Sequence, residues 1–314
     1  MPLDNPPPRP PSRIAALFLV RDHEVLPTAH FFVLFLLLGA GLAIGRGTTD
    51  ALFFKRFGIE NLPLTYVALG VCLSLASVVY AAYVDRVAAE RLFQRLFIAQ
   101  ALALVGCWWS MSYATWDWVY PLYYLLYEVA SEILLLHGAL YLSQNLDTLQ
   151  NKRLSSLVFA GAQVGLIGGG LALAAAAPVV GVHNLLLAWV GITVAAQIQL
   201  FLWHRRRGAS PYHRRPRRSS RPLRAAVGQL GQALVFTRDS PLLRATALST
   251  LFMGIALYVL TFNVNRVYTG HFASEESLTA FFGLLAAATG GLALALQLLV
   301  TNRVIERFGI QTTG

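Results

Sequence analysis

Six stretches of this chain, 64–84, 96–115, 154–180, 185–203, 245–264 and 278–302, contain no Asp, Glu, Lys or Arg. Crossing the hydrocarbon core of a bilayer takes roughly 20 helical residues at a rise of about 1.5 Å each, so every one of these runs is long enough. A backbone in lipid has no water to bond to, and only helices and closed barrels satisfy its N–H and C=O groups internally. The runs are continuous and rich in Leu and Ala, where a barrel would show short segments alternating every second residue, so they read as helices. Two further segments reach spanning length while carrying charge: about 30–54, with Arg46 and Asp50, and about 119–142, with Glu128 and Glu132. The expectation is an all-α integral membrane protein with eight transmembrane helices. The composition agrees, since 56% hydrophobic residues against 13% charged, with a mean hydropathy of +0.56, is too apolar for a chain that must cover itself with polar groups. Cys72 and Cys107 both fall in apolar runs, where a thiol acts as a small hydrophobe.

Orientation follows from the cations. With a cytoplasmic N-terminus, 21 of the 25 Lys and Arg fall in inside segments; the outer loops keep Lys55, Arg56 and Arg266, and Arg46 lies within the first helix. That bias is the positive-inside pattern and places both termini in the cytoplasm of a multi-pass inner (plasma) membrane protein. The net charge of +10 is therefore mainly topological. The basic run 204–224, "HRRRGASPYHRRPRRSSRPLR", is tethered between two membrane helices, which favours anionic lipid headgroups over nucleic acid as its partner.

The chain divides accordingly. Residues 1–29 form a proline-rich lead, with 14–20 as a short interfacial segment and no signal-peptide cleavage pattern. Residues 30–203 form a six-helix bundle. Residues 204–241 are a basic loop and an amphipathic linker carrying Val227, Leu230 and Leu234, and 242–314 hold two more helices. "YVDRVAAERL" (83–92) ends the second span and "TNRVIERFG" (301–309) ends the eighth, so the two segments after the loop echo the first two. The pattern is a six-helix half plus the start of a second, as in carriers built from two parallel halves. About four more helices would complete it, which predicts a truncated chain.

Ionisable groups at membrane depth cost about 2.5–3.5 kcal/mol on insertion scales and usually face a cavity or a partner. Arg46 and Asp50, four apart, share one helix face: either a self-neutralised structural pair or a cavity-facing cation able to attract an anionic substrate, with Thr48 and Thr49 adding hydroxyls. Tyr120, Tyr124, Glu128 and Glu132 step by four along one stripe of the fourth helix, a face suited to a pathway. Glu128 is close enough to the outer boundary to be solvated. Glu132, near mid-span, is a candidate partner of Arg46, proton carrier or gate. His137 is off that stripe and reads as a packing residue. Gly161, Gly165 and Gly169, spaced by four, allow a second helix to approach closely, and Gln163 beside them is a weaker candidate for substrate contact. Hydrolase elbows, phosphate-cradling loops and zinc spacings do not occur, so neither an enzyme nor a metal or cofactor site is indicated.

The stretches "DALFFKRFGIENLPLTYVALG" (50–70), "SEILLLHGALYLSQNLDTLQNKRLSSLVFAGAQVGLIGGG" (131–170) and "FFGLLAAATGGLALALQLLVTNRVIERFGI" (281–310) resemble the ATP/ADP translocases of plastids and intracellular bacteria, and more closely their bacterial relatives of unassigned substrate. The resemblance implies a major-facilitator-like fold and nucleotide exchange across a membrane. It places Glu132 at the family's functional mid-helix glutamate, Asp50 at its first-helix acid, and Lys152 with Arg153 at its basic pair after the fourth helix. Thr49 stands where the family has a lysine. The expected function is a secondary transporter for an anionic, nucleotide-like solute (ATP or ADP) working by alternating access. The alternative is a non-transporting membrane scaffold or sensor on the same fold.

Overall fold

The computed structural model describes residues 21–114, 116–207, 228, 231–232 and 235–297. The interfacial segment 14–20, the basic run after Arg207, Val227, Leu230, Leu234 and the echo at 301–309 lie outside the described residues. Eight helices account for nearly all the rest: α1 (Val25–Leu52), α2 (Leu62–Val84), α3 (Ala89–Trp109), α4 (Val119–Asn145), α5 (Thr148–Val180), α6 (Leu185–Arg207), α7 (Pro241–His271) and α8 (Glu275–Leu296). Among the described residues there is no strand. The chain is all-α, with seven helical stretches long and apolar enough to cross a membrane, as in a multi-pass membrane protein. The first of these, Val25–Val84, is 60 residues long. It divides at a π-helical turn (Phe53–Gly58) and a 3-10 turn (Ile59–Asn61), where Gly58 takes φ 96°, a left-handed conformation that costs glycine nothing.

Local chemistry fixes the ends. Asp147 caps α5 by accepting from the Gln150 N–H at 2.7 Å, while the Gln150 side-chain oxygen accepts from the Asp147 N–H, a reciprocal capping box. Ser274 caps α8 at the Ser277 N–H, and Ser240 followed by Pro241 opens α7. α1 begins at Val25, five residues before the position its apolar run predicts.

The core is organised around α1, which packs against α4, α5, α6 and α8. Its contact with α5 is closest. A Cβ on Gly39 would lie 2.1 Å from the Ala162 carbonyl oxygen, and one on Gly165 would lie 2.0 Å from that of Leu36. Gly161, Gly165 and Gly169 meet Phe32, Leu36 and Ala40 in order, so the two helices run parallel. The spacing of four that predicted close approach does place backbone against backbone. α8 packs antiparallel on α5, with Gly283 against Gly170, Gly290 against Gln163, and Gln297 Nε2 donating to the Ser156 carbonyl at 2.6 Å. α3 lies on α6, and α2 on α4.

Candidate functional site

The polar residues of α1 and α4 converge toward the Gly58 end of the bundle. Arg46 forms an ion pair with Glu128 through Nη1, and its Nε lies 3.5 Å from Asp50 Oδ2. Its guanidinium also sits over the Tyr127 ring, 5.5 Å from the centroid. Arg46 is thus shared by an acid on its own helix and one on a neighbour. The guanidinium side chain remains 46% exposed, against 16% for Glu128 and 9% for Asp50. Arg46 is six residues from the end of α1, or roughly 9 Å along the axis, so the triad lies inside the span but above its middle.

An aromatic collar surrounds the triad. Tyr124 is buried against Phe53 with ring centroids 4.9 Å apart. Tyr66 of α2 packs against Tyr258 of α7, with ring centroids 4.4 Å apart and the rings tilted by 41°. Thr48 donates to the Ile44 carbonyl at 2.8 Å, so its oxygen is left to accept the Tyr123 hydroxyl proton at 2.8 Å. The Thr49 hydroxyl is fully buried.

Two sequence expectations are corrected here. The interhelical partner of Arg46 is Glu128, not Glu132, and Glu128 is paired rather than simply solvated. The stripe of four fixes a face but not a height: Glu132 stands one turn farther down α4, about 6 Å beyond Glu128. At mid-helix Glu132 is exposed and has no ion-pair partner among the described residues. Gln163, on α5 at the level of α1 residue 34, is roughly 18 Å along the axis from Arg46. Its Oε1 is buried without a hydrogen-bond partner among the described residues, and its backbone oxygen faces Gly290 of α8, so Gln163 belongs to the α5–α8 seam and not to the triad. His137 is fully buried: Nε2–H donates to the Ala89 carbonyl at 2.7 Å, and Nδ1 accepts from the Tyr80 hydroxyl at 2.9 Å. These bonds fix a neutral tautomer bridging α2, α3 and α4, the packing role its position predicts.

The two ends carry contacts that composition alone did not reveal. At the Gly58 end, Lys55 Nζ donates to the Thr269 and Phe272 carbonyls at 2.8 and 2.5 Å, capping α7, and Arg56 pairs with Glu275 in the first turn of α8. Their only signal in the sequence was two cations kept in a loop where the orientation rule disfavours them. At the opposite end, Arg153 Nη2 grips both oxygens of Glu24 at 2.5 and 2.6 Å, and His204 Nδ1 lies 2.7 Å from Glu90 Oε2. Burial pushes the Glu24 carboxyl up, but the Arg21 N–H, the Arg153 charge and the Gln150 amide outweigh it, and it titrates below the usual range. The Lys152 side chain lies outside the described residues.

Protein-family models, curated proteins and solved structures give no match to this chain. The described residues hold no group of three or more His, Cys, Asp or Glu able to bind a metal ion. A void of about 270 Å³ between α3 and α4 is lined by Ala103, Cys107, Trp118 and Leu122 and is apolar, so it is unrelated to the triad. What the triad offers chemically is one cation with two acids competing for it, on two helices, with the cation's side chain half exposed.

Proposed function

We propose that this chain is a secondary membrane transporter that moves an anionic solute of the nucleotide class by alternating access, with α1 and α4 lining its path. The observation that carries this reading is Arg46, inside a spanning helix, held between Asp50 and Glu128 and still half exposed. Three charges at membrane depth are expensive, and apolar side chains of similar size would pack the same space at lower cost. A cation that stays open after two acids have engaged it is suited to receive phosphate oxygens, for which a planar guanidinium is the best donor.

The architecture supports the same reading. Val25–Val84 counts as two crossings, because α1 and α2 at about 1.5 Å per residue each exceed a hydrocarbon core of about 30 Å. On this reading the chain makes eight crossings in a major-facilitator-like arrangement, with α1–α6 as one half and α7 and α8 as the start of a second, and the packing of α7 on α2 and of α8 on α5 supports it. Glu132, exposed at mid-helix below the triad, would line the same path. The positive-inside pattern makes the Arg153 end cytoplasmic.

The test is uptake of labelled ATP, ADP and inorganic phosphate by proteoliposomes carrying the protein. Uptake of at least one, lost in Arg46→Ala, is expected. Equal uptake by protein-free vesicles, or an Arg46→Ala variant that transports as well as the parent, would sink the reading.

A further inference from the structure

The triad does not balance: Arg46 supplies one positive charge and Asp50 and Glu128 supply two negative ones. The two acids are not held equally. Glu128 is in direct hydrogen-bonded contact with Nη1, whereas Asp50 is only an ion-pair neighbour of Nε at 3.5 Å. No hydrogen bond from a described residue reaches the Asp50 carboxyl, although its side chain is nine-tenths buried. A buried carboxylate without a donor pays most of its desolvation cost uncompensated. Arg46 on its own helix is its ion-pair neighbour, and the titratable groups near enough to act on it through charge are Glu128, Tyr123, Tyr124 and Tyr127 on α4 and Tyr66 on α2. The tyrosines are neutral near pH 7, so the local sum is minus one with both acids ionised.

From this geometry we infer that Asp50 is a proton-binding site whose occupancy decides whether Arg46 is tied to α4 or drawn back onto α1. With a proton on Asp50, one Oδ becomes O–H, the local charge is zero, and Arg46 belongs to Glu128, which locks α1 to α4. When that proton leaves to water, the new carboxylate competes for the guanidinium. The α1–α4 tie then weakens. The proton is exchanged with solvent, and no other reactant is consumed. The proton site stands on the ion-pair geometry alone; its coupling to solute movement rests on the carrier reading above, in which an anion arriving at Arg46 meets a less negative site when Asp50 is protonated.

Infrared difference spectroscopy on the reconstituted protein tests this directly. A carboxylic-acid C=O band present at neutral pH and lost on raising the pH is expected in the parent and absent from Asp50→Asn. Aspartate labelled with ¹³C at its carboxyl shifts such a band where glutamate labelling does not, which assigns it without any substitution. Glu128→Gln frees Arg46 for Asp50 alone, so the band should move to lower pH by about one unit or more. A parent without an aspartate C=O band at neutral pH overturns the proton site, and an unmoved band in Glu128→Gln overturns the sharing of Arg46. If none of ATP, ADP and phosphate enters vesicles, the carrier reading falls, and the infrared titration still decides the proton site.

Discussion

Arg56 and Glu275 meet as a fork, Nε to Oε2 at 2.6 Å and Nη2 to Oε1 at 2.9 Å, joining the turn after α1 to the first turn of α8 across 219 residues of sequence. Planar two-point contact is specific to arginine, and Glu275 also benefits from the α8 N-terminus. The Arg56 side chain is half exposed although Glu275 is largely buried, so Arg56→Ala should cost about 1 kcal/mol in thermal stability. Arg56→Lys should recover little of that loss, because an ammonium keeps the charge and not the fork. In a double-mutant cycle with Glu275→Gln, the double variant should be no less stable than the worse single one. Full additivity would show that the contact contributes nothing.

The α1–α5 seam gives a sharper contrast. A Cβ on Gly165 would sit 2.0 Å from a main-chain oxygen that cannot move aside, whereas one on Gly168, three residues on, meets nothing within 4 Å. Gly165→Ala should cost about 3 kcal/mol or more, at the upper end of overpacking. Gly168→Ala should be neutral or stabilising by up to about 1 kcal/mol, because alanine is the better helix former. Monodisperse yield in detergent and thermal unfolding of the two variants measure the difference, and similar behaviour would refute the packing described.

The spans and the small-residue seam could be read from the chain because each depends on periodicity within one segment: charge-free length for the helices, a spacing of four for Gly161, Gly165 and Gly169. The pairing of Arg46 could not. A stripe of four tells which way Glu128 and Glu132 point, but the axial offset of α4 against α1 is set by how Tyr127 and Gly45 pack, and no local pattern encodes it. Glu24 and Arg153 were likewise hidden, being 129 residues apart. Lys55 and Arg56 left a trace only as exceptions to the orientation rule, which shows that a cation on the wrong side needs a partner without naming it.

Glu24 makes the stability of the Arg153 end depend on pH. Its folded carboxyl titrates below its ordinary value of 4.5, so the ionised form is the one the fold binds. The pair's contribution is therefore fully present above about pH 4.5 and is lost as the pH falls through the folded value. The parent should lose thermal stability more steeply than Glu24→Gln on going from about pH 6 to pH 3, and the two curves should converge at the acid end. Parallel curves across that range would show that Glu24 carries none of the acid sensitivity.

Removing the cation of the triad should hurt more than removing the cation together with an acid. Arg46→Ala removes the cation that Asp50 and Glu128 share and strands acidic charge in a low-dielectric setting, and breaking a buried pair from one side typically costs about 3–5 kcal/mol. Half of the Arg46 side chain is exposed, so solvent screening brings the expected loss toward about 2 kcal/mol. Adding Glu128→Gln to Arg46→Ala withdraws one stranded charge while keeping the side chain's volume. The double variant should therefore be more stable than Arg46→Ala alone, whereas Glu132→Gln, at an exposed and unpaired site, should leave stability unchanged. Thermal unfolding of all three in one detergent decides it. A double variant less stable than Arg46→Ala would mean that Glu128 packs rather than pairs, and the competition of two acids for one guanidinium would have to be abandoned.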